Sequence, residues 1–197
     1  MCGRYYIDEE TYSEIQTVIS DVEQSLKRGR KTGDICPTDT APVIISDNDQ
    51  KLVLTDKIWG YPGWKNKGVI FNARSESVMG KRMFQNGIRY HRAVVPAAGF
   101  YEWNRQKEKN TFFRKDSRVL YMAGFFDCYN DGDHFVILTT QSNASMEKIH
   151  DRMPLILEAD QIHPWLCSKE RVEIILNQTP VLLEHRSDYE QQSLFSI

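Results

Sequence analysis

The sequence contains none of the patterns that would place the chain in a membrane, in a disulfide framework or around a metal ion. No apolar run approaches the ~20 residues that span a bilayer, and no basic-then-apolar signal peptide begins the chain. The four cysteines form no CxxC pair, and the five histidines include no HExxH or similar ligand spacing. We therefore expect a cytoplasmic protein with no metal, no cofactor and no membrane contact.

Internal repeats, linkers and low-complexity tracts are also absent from the 197 residues. A chain of this length can bury one proper hydrophobic core. Its composition is that of an ordinary globular protein, with 41% hydrophobic and 26% charged residues. We predict one domain over residues 2–197, with Met1 removed, and we expect a monomer.

The first half of the chain mixes helical and strand patterns. Apolar residues spaced three and four apart predict an amphipathic helix from Asp8, its N-cap, to Arg28. The segments "PVIIS" and "KLVLTDKIW" on either side of "DNDQ" are typical of a β-hairpin. A short strand at "GVIFN" leads into a predicted helix from Glu76 to Gln85, with Ser75 as its cap.

From Arg92 onwards the pattern predicts mostly strands. These are "RAVVP", "GFYEW", "TFFRK", "VLYMAGFFDCY", "HFVILTT", "MPLIL" and a late "PVLLEH". A helix is predicted after Ser142, and helical turns broken at Pro164 are predicted over 160–176. Short strands at this spacing favour a sheet that closes, because an open sheet leaves exposed edges. The predicted fold class is α+β, a single domain with a curved or barrel-like, mainly antiparallel sheet flanked by helices.

The net charge of −2 conceals a strongly basic segment from Lys57 to Arg92. Eight Lys and Arg lie in it against a single acid, Glu76, which gives this segment a charge of +7. Six aromatic residues are interleaved with these charges: Trp59, Tyr61, Trp64, Phe71, Phe84 and Tyr90. Cations mixed with aromatic faces are typical of grooves that bind single-stranded nucleic acid. A solvated basic surface over core aromatics explains the same composition, and composition alone leaves both interpretations open.

Cys2 becomes an unusual reagent if Met1 is removed, because it then carries an α-amine and a thiol on neighbouring carbons. An α-amine has a pKa of ~7.7–8.0, against ~10.4 for lysine, so more of it is unprotonated at neutral pH. The amine can form an imine with an aldehyde, and the thiol can then close a thiazolidine ring on the same carbon. An abasic site in DNA opens to such an aldehyde. The basic segment and Cys2 therefore fit one substrate.

Two further residues are candidates for proton transfer. Glu102 lies among aromatic neighbours in "GFYEW", an environment that suits a carboxyl group acting in acid–base chemistry. His150 in "HDRMP" is of the residue type that changes charge near neutral pH, and it can protonate the sugar-ring oxygen as the abasic sugar opens. Taken singly, each residue is better explained without an active site, Glu102 as a surface residue of a strand and His150 as a cap at a helix end.

Six ordered blocks extend across most of the chain, and together they resemble the SRAP family of abasic-site processing proteins, which includes sensors of abasic sites in single-stranded DNA. The blocks are "CGRY" (2–5), "CPTDTAPV" (36–43), "WGYPGW" (59–64), "NARSES" (72–77), "VVPAAGFYEW" (94–103) and "HDRMPLIL" (150–157). The first block alone is a weak signal, but six in the same order are specific.

The resemblance implies four catalytic residues. Cys2 matches the nucleophile that becomes covalently joined to the abasic site after methionine removal. Glu102 matches the glutamate that engages the site and shuttles protons, and His150 matches the histidine that stabilises the opened sugar. Asn72 matches an asparagine that holds the cysteine and the sugar. The resemblance also implies a lyase-like crosslinking reaction that shields DNA from strand cleavage, and a thiol-dependent self-processing of the N-terminus.

The resemblance further implies a DNA-binding set and a partner. Arg4 and Arg74 match arginines that grip phosphates, and Trp64 matches an aromatic that stacks on a base beside the lesion. The implied partner is single-stranded DNA containing abasic sites, so a nucleoid-associated location is expected when the protein is bound. The chain departs from the family in having only seven residues between Trp64 and Asn72, and in having Cys36 where a small apolar residue is common.

Two other functions use the same residues. Cys2, His150 and Glu102 are the residue types of a cysteine peptidase or an N-terminal-nucleophile hydrolase. A non-catalytic reader of unusual DNA would need only Trp64 and the basic segment. The first alternative does not account for the charge of the basic segment, and the second leaves the amine–thiol pair without a role.

Overall fold

The structure is a computed structural model that describes residues 2–19, 32–63, 67–115 and 119–187. Its strands are β1 (Tyr5–Ile7), β2 (Gly33–Ile35), β3 (Thr40–Ser46), β4 (Leu52–Trp59), β5 (Tyr61–Pro62), β6 (Val69–Ile70), β7 (Asn72–Arg74), β8 (Arg92–Ala97), β9 (Gly99–Trp103), β10 (Lys109–Phe113), β11 (Leu120–Tyr129), β12 (Gly132–Gln141), β13 (Arg152–Pro154), β14 (Ile156–Leu157) and β15 (Glu184–Ser187). Its α-helices are α1 (Glu9–Val18), α2 (Gln85–Tyr90), α3 (Ile162–Cys167) and α4 (Val172–Leu176).

Five strands form a closed barrel. Strands β12, β4, β3, β8 and β11 pair in this order, and β11 pairs again with β12, which completes the ring. All of these pairings are antiparallel except β12 with β4, and the attached strand β7 is also parallel to β12. Closure removes the exposed edges that an open sheet would present. The predicted α+β fold with a barrel-like, mainly antiparallel sheet is confirmed.

A second sheet lies beside the barrel, with its five strands in the order β15-β10-β9-β1-β2. The chain passes from the barrel into this sheet at Ala98, between β8 and β9, and the Ala98 N–H donates to the Tyr6 carbonyl (2.9 Å). One face of the sheet is buried, with Tyr5, Phe100 and Phe112 each at 0% exposure. Successive strand residues point to opposite faces, so the other face carries the residues between these.

Two tryptophans anchor the core. Trp59 stacks on Phe135 inside the barrel, with ring centroids 6.3 Å apart, and its indole N–H donates to the Phe71 carbonyl (3.0 Å). Trp165 on α3 donates its indole N–H to the Ala93 carbonyl of β8 (2.9 Å). Both indole N–H groups are therefore satisfied, as a buried tryptophan requires. Among the described residues, no helix is long and apolar enough to cross a membrane.

Helix α1 begins where the sequence predicts. The Asp8 side chain accepts from the Thr11 N–H (2.8 Å), and the Thr11 hydroxyl accepts in return from the Asp8 N–H (3.4 Å), which forms a capping box. Ile19 is extended and ends the helix at Val18. The remainder of the predicted helix lies outside the described residues.

The predicted helix from Glu76 to Gln85, with its Ser75 cap, is wrong. Two 3₁₀ turns occupy 78–80 and 82–84, and α2 begins only at Gln85. The reason lies at the start of the segment, where the Ser75 N–H still donates to the Thr139 carbonyl of β12 (2.8 Å) and continues the sheet pairing. This bond ties Ser75 to β12, and the chain then turns over 75–77 before the first 3₁₀ turn.

Two other helix predictions need correction. The chain after Ser142 forms hydrogen-bonded turns over 144–149 instead of a helix. The Ser142 N–H donates to the Asp151 carbonyl, and the short loop that this bond closes leaves no room for a helix followed by a chain reversal. The predicted break at Pro164 is also wrong, since Pro164 lies in the first turn of α3, where a proline has no helical hydrogen bond to lose. The late strand predicted as "PVLLEH" begins at Glu184.

Candidate active site

Cys2 lies beside the end of β9 because β1 pairs with that strand. Tyr5 is opposite Phe100, and the Tyr101 N–H donates to the Arg4 carbonyl (2.9 Å), which extends the pairing toward the N-terminus. The same register brings the residue after Cys2 level with Glu102. The pairing of β1 with β9 therefore places Cys2, the predicted nucleophile, close to Glu102, the predicted proton-transfer residue.

Asn72 holds Cys2 from the barrel side. Its side-chain N–H donates to the Cys2 carbonyl (2.8 Å), and its own strand, β7, is fixed by parallel pairing with β12. The Asn72 Oδ1 atom is buried and has no hydrogen-bond partner among the described residues. A buried acceptor without a partner is costly to leave unsatisfied, so this oxygen suits a ligand hydroxyl or amine.

The Cys2 thiol is buried, and its surroundings disfavour its ionisation. The residue is 1% exposed, and its Sγ donates to the Arg4 carbonyl (3.8 Å). Burial raises the pKa of the thiol well above its ordinary value, and the nearby Glu102 carboxylate raises that pKa further. Glu102 is itself 4% exposed. The thiol is thus protonated at neutral pH, with a carboxylate close enough to influence its proton.

His150 lies on the loop that leads into β13. The Arg152 N–H donates to its Nδ1 (2.9 Å), and the exposed Asp151 carboxylate lies 3.0 Å from the same nitrogen. The Nδ1 atom thus lies beside both an N–H donor and a carboxylate acceptor, and its own protonation decides which of the two it bonds.

Among the described residues, the contacts of Cys2 bring three of the four predicted catalytic residues together. They join Cys2 to Asn72 by a hydrogen bond and to Glu102 by electrostatic interaction. His150 accepts a hydrogen bond from the Arg152 N–H of its own loop. Strands β7 and β13 both pair with β12, at Thr139 and its neighbours, so Asn72 and His150 approach the same strand.

Two of the three predicted DNA-binding residues are described, and both are accessible. Arg4 is 42% exposed at its side chain, and its guanidinium lies 5.7 Å from the Trp103 ring centroid. Arg74 is exposed at the end of β7, two residues after Asn72. Trp64 lies outside the described residues. Sequence reasoning missed Trp103, which is 38% exposed directly after Glu102; the alternation in "GFYEW" could have indicated its outward position.

The basic segment is divided between surface and core. Lys57 is buried and bonds to Asp133 (2.7 Å), and buried Arg92 donates to five backbone carbonyls. Trp59 and Tyr61 are fully buried. These four residues therefore belong to the interior, and the choice between a nucleic-acid groove and a solvated basic surface concerns only the other residues of the segment. The described cations that stay exposed are Lys67, Arg74, Lys81, Arg82 and Arg89.

Glu76, the single acid of the basic segment, forms an ion pair with Arg152. The carboxylate accepts from both terminal nitrogens of the guanidinium, one of them at 2.9 Å, and the guanidinium also donates to the Thr139 carbonyl (2.6 Å). Hydrogen bonding from Arg152 lowers the pKa of Glu76 to about 2. The pair ties the segment after β7 to β13, and so helps to fix Arg74 and His150 relative to each other.

We expect the ion pair to contribute stability that is lost in acid. The folded pKa of Glu76 lies below its unfolded value, so the contribution is present above about pH 4.5 and is lost as the pH falls toward about 2. Because Glu76 is half-exposed, we expect Glu76→Gln to cost only about 1 kcal/mol at pH 7. Urea unfolding as a function of pH measures both effects. Exposed Glu173→Gln is the matched control, and an unchanged acid slope in Glu76→Gln would contradict the assignment.

The described residues show no metal-binding cluster and no disulfide. No group of three or more His, Cys, Asp or Glu side chains among them converges as a metal site requires. The four cysteines are free. Cys36 is half-buried, its N–H donates to the Asp39 carboxylate (2.8 Å), and the β1–β2 register brings it level with Arg4.

The fold and the site define a class of protein, an α+β barrel in which a buried cysteine at position 2 lies beside a strand glutamate and a barrel asparagine. The chain belongs to the SRAP (SOS response associated peptidase) family, whose model matches residues 1–190. Family membership is thus established over nearly the whole sequence.

Relatives at about 30% identity are described as abasic site processing proteins. The chain is 28% identical to the abasic site processing protein YedK of Escherichia coli over 179 residues, covering 84% of this chain and 79% of YedK. It is 31% identical to the abasic site processing protein YoqW of Bacillus subtilis, covering 86% and 81%. With the abasic site processing protein HMCES of Xenopus tropicalis the identity is 32%, covering 66% and 52%.

Solved structures share the fold. A Bordetella bronchiseptica protein superposes with a TM-score of 0.77 at 21% identity, covering 94% of this chain and 99% of that one. A Bacteroides thetaiotaomicron protein gives the same TM-score and identity, covering 94% and 91%.

Proposed function

We propose that this protein processes abasic sites in single-stranded DNA, and that it does so by joining the lesion covalently to Cys2 as a thiazolidine. The observation that carries the proposal is the position of Cys2, held by Asn72 and adjacent to the Glu102 carboxylate, next to exposed Arg4 and Arg74. The names of the relatives supply the substrate class.

The proposed reaction uses both groups of Cys2 in sequence. After Met1 is removed, the α-amine attacks the aldehyde carbon of the opened sugar, and loss of water gives an imine. The Cys2 thiol then adds to the same carbon, with its sulfur forming the new bond and its proton passing through Glu102 to the imine nitrogen. The sum is aldehyde plus aminothiol giving thiazolidine plus water.

The raised thiol pKa fits this order of steps. A protonated thiol is a weak nucleophile, so the amine reacts first and the thiol reacts only when Glu102 accepts its proton. Ring closure also protects the DNA, because an imine is an electron sink that promotes β-elimination and strand breakage. The saturated ring has no such sink.

The remaining residues take positioning and binding roles in this proposal. His150 donates a proton to the sugar-ring oxygen as the abasic sugar opens, and the Asn72 Oδ1 atom accepts from a sugar hydroxyl or the amine. Arg4 and Arg74 bind phosphates, a role suited to the guanidinium fork. Trp64 stacks on a neighbouring base, as the resemblance implies. The reaction needs no cofactor.

We also propose that the same thiol removes Met1. Glu102 takes the thiol proton and the sulfur attacks the Met1 carbonyl carbon. The Met1–Cys2 peptide bond then breaks, with Met1 transferred to sulfur and the proton passing from Glu102 to the Cys2 nitrogen. Water then hydrolyses this thioester, which frees both the Cys2 amine and the thiol. The word peptidase in the family description supports such a self-processing step.

The general cysteine peptidase has less support. Catalytic cysteines usually sit where positive charge lowers the thiol pKa, whereas burial and Glu102 raise it here. A non-catalytic reader of unusual DNA leaves the buried Cys2–Asn72 contact without a purpose.

Intact-mass measurement tests the proposed function. We expect the purified protein to begin at Cys2, and incubation with an abasic single-stranded oligonucleotide to add the mass of the oligonucleotide less one water. An oligonucleotide carrying a tetrahydrofuran abasic analogue is the matched control, since it has no aldehyde and should add no mass. A protein that begins at Cys2 and forms no adduct with the aldehyde-bearing strand would exclude the proposal.

A further inference from the structure

The second sheet has an outer face that the candidate active site leaves unused. The antiparallel registers place side chains from alternate positions of its five strands on this face. We call it the outer sheet face. Its aromatic residues are Tyr6, Tyr101, Trp103 and Phe113, its cations are Arg4, Lys109 and Arg186, and its acids are Asp34 and Glu184.

The central rings of the outer sheet face are held in place. The Tyr6 ring covers Gly99, where an added Cβ would lie 2.7 Å from a ring carbon. Tyr6 stacks on Tyr101 with ring centroids 5.4 Å apart and planes at 23°. The Tyr101 hydroxyl donates to the Asp34 carboxylate (3.0 Å), which fixes the orientation of that ring. Both tyrosines are half-buried, so each presents part of its ring to solvent.

Cations lie directly against these rings. Lys109 Nζ is 4.3 Å from the Tyr101 ring centroid, and the Arg186 guanidinium is 5.0 Å from that of Phe113. Each acid of the face already has a basic partner, Asp34 with Arg4 (3.6 Å) and Glu184 with Lys115 (3.7 Å). The three cations of this face exceed its two acids by one.

The outer sheet face is continuous with the candidate active site. The Arg4 carbonyl accepts a hydrogen bond from the Cys2 thiol. The Arg4 guanidinium lies on the outer sheet face, 5.7 Å from the Trp103 ring centroid. Trp103 directly follows Glu102 on β9. Glu102 and Trp103 point to opposite faces of the sheet, so a DNA strand that leaves Cys2 passes around this end of β9, beside Arg4 and Trp103, to reach Tyr101.

We propose that the outer sheet face binds the nucleotides that continue beyond the lesion in single-stranded DNA. Bases stack on the part of the Tyr6–Tyr101 pair that faces solvent, and phosphates pair with Lys109 and Arg186. This inference rests on the proposed function, because it takes the lesion at Cys2 as the starting point of the strand.

The chemistry and size of the face suit this ligand. Every base has an aromatic face, so a platform of rings beside cations holds a strand without reading its sequence. Five strands spaced by ~4.8 Å make the face about 19 Å across, which is room for several nucleotides. The lesion itself offers no base to stack on, so contacts to its neighbours are needed to hold it.

Binding of strands with tails of different length tests the inference. The probe is a fluorescent oligonucleotide with one tetrahydrofuran abasic analogue, which binds without crosslinking, and with a tail of intact nucleotides on the 5′ side, the 3′ side or both. We expect removal of the tail on one side to weaken binding about five-fold or more, the loss of one stacked base, and removal of the other to have little effect.

Variants of the face separate it from the active site. We expect Lys109→Glu with Arg186→Glu, and separately Tyr101→Leu, to lose the preference for the tailed strand. The charge-reversal variant should also lower the salt slope of binding by roughly 0.7 for each lost phosphate contact. Lys169→Glu with Arg171→Glu changes the charge equally at exposed positions before α4 and is the matched control.

The outcomes for the face and for the active site are distinct. The inference is supported if both face variants bind tailed and untailed strands equally while still forming the covalent adduct with a short abasic strand. It is overturned if wild type binds strands with and without either tail equally well, or if the face variants still bind the tailed strand more tightly. Absence of any adduct with wild type would instead count against the proposed function.

Discussion

Cys2→Ala is expected to abolish the heat-stable adduct with abasic single-stranded DNA completely. The variant is produced with a cleavable tag that exposes residue 2, because it has no thiol to remove Met1. It then keeps an N-terminal α-amine and still forms an imine with the lesion aldehyde. It has no thiol to close the ring, and the imine hydrolyses on heating. Denaturing gel electrophoresis should therefore show an adduct for Cys2→Ala only when borohydride is added to reduce the imine, whereas wild type needs no reductant.

The remaining cysteines provide matched controls for this experiment. Cys36→Ala and Cys128→Ala remove thiols that are half-buried and exposed respectively, and both should keep the full yield of heat-stable adduct. Acetylation of the Cys2 amine in wild type should remove both the heat-stable and the borohydride-trapped product. A heat-stable adduct in Cys2→Ala, without reductant, would rule out the thiazolidine.

Local patterns in the sequence were sufficient to predict much of the barrel. The hairpin of β3 and β4 was predicted because two apolar runs flank four turn residues, and β8 to β12 were predicted from their apolar and aromatic content. The sheet is expected to close because an open sheet leaves exposed edges. The pairing of β11 with both β8 and β12 confirms this closure. The 3₁₀ turns after β7 were missed, because the sheet bond of Ser75 comes from Thr139, far away in sequence.

The candidate site was only partly predictable for a related reason. Composition identified the basic segment, but it could not show that Lys57 and Arg92 are buried among acceptors that other elements supply. The hydrogen bond between Asn72 and Cys2 joins residues that only the fold brings together. Chemical reasoning identified Cys2, and the family resemblance, rather than any pattern in the sequence, implied its partner on β7.

Glu102→Gln is expected to slow formation of the heat-stable adduct by about 10²-fold or more, the lower end of the range for general acid–base catalysis. Glutamine has nearly the same shape, so binding of a strand with the tetrahydrofuran analogue should change little. The protein should be produced with a cleavable tag that exposes Cys2, so that any defect in Met1 removal does not reduce the adduct. Single-turnover crosslinking and equilibrium binding, measured on the same preparation, separate the two effects.

The thiol pKa provides a second readout for Glu102, one that a purely structural role would not move. Burial and the Glu102 carboxylate both raise the pKa of the Cys2 thiol, so removing the carboxylate should lower that pKa while burial keeps it above the ordinary value. The pH dependence of Cys2 alkylation should therefore shift toward lower pH in Glu102→Gln. A slower reaction together with a more easily ionised thiol requires that Glu102 moves protons, because a better nucleophile alone would have reacted faster. Equal losses of binding and crosslinking, with no shift in the thiol titration, would remove Glu102 from the chemistry.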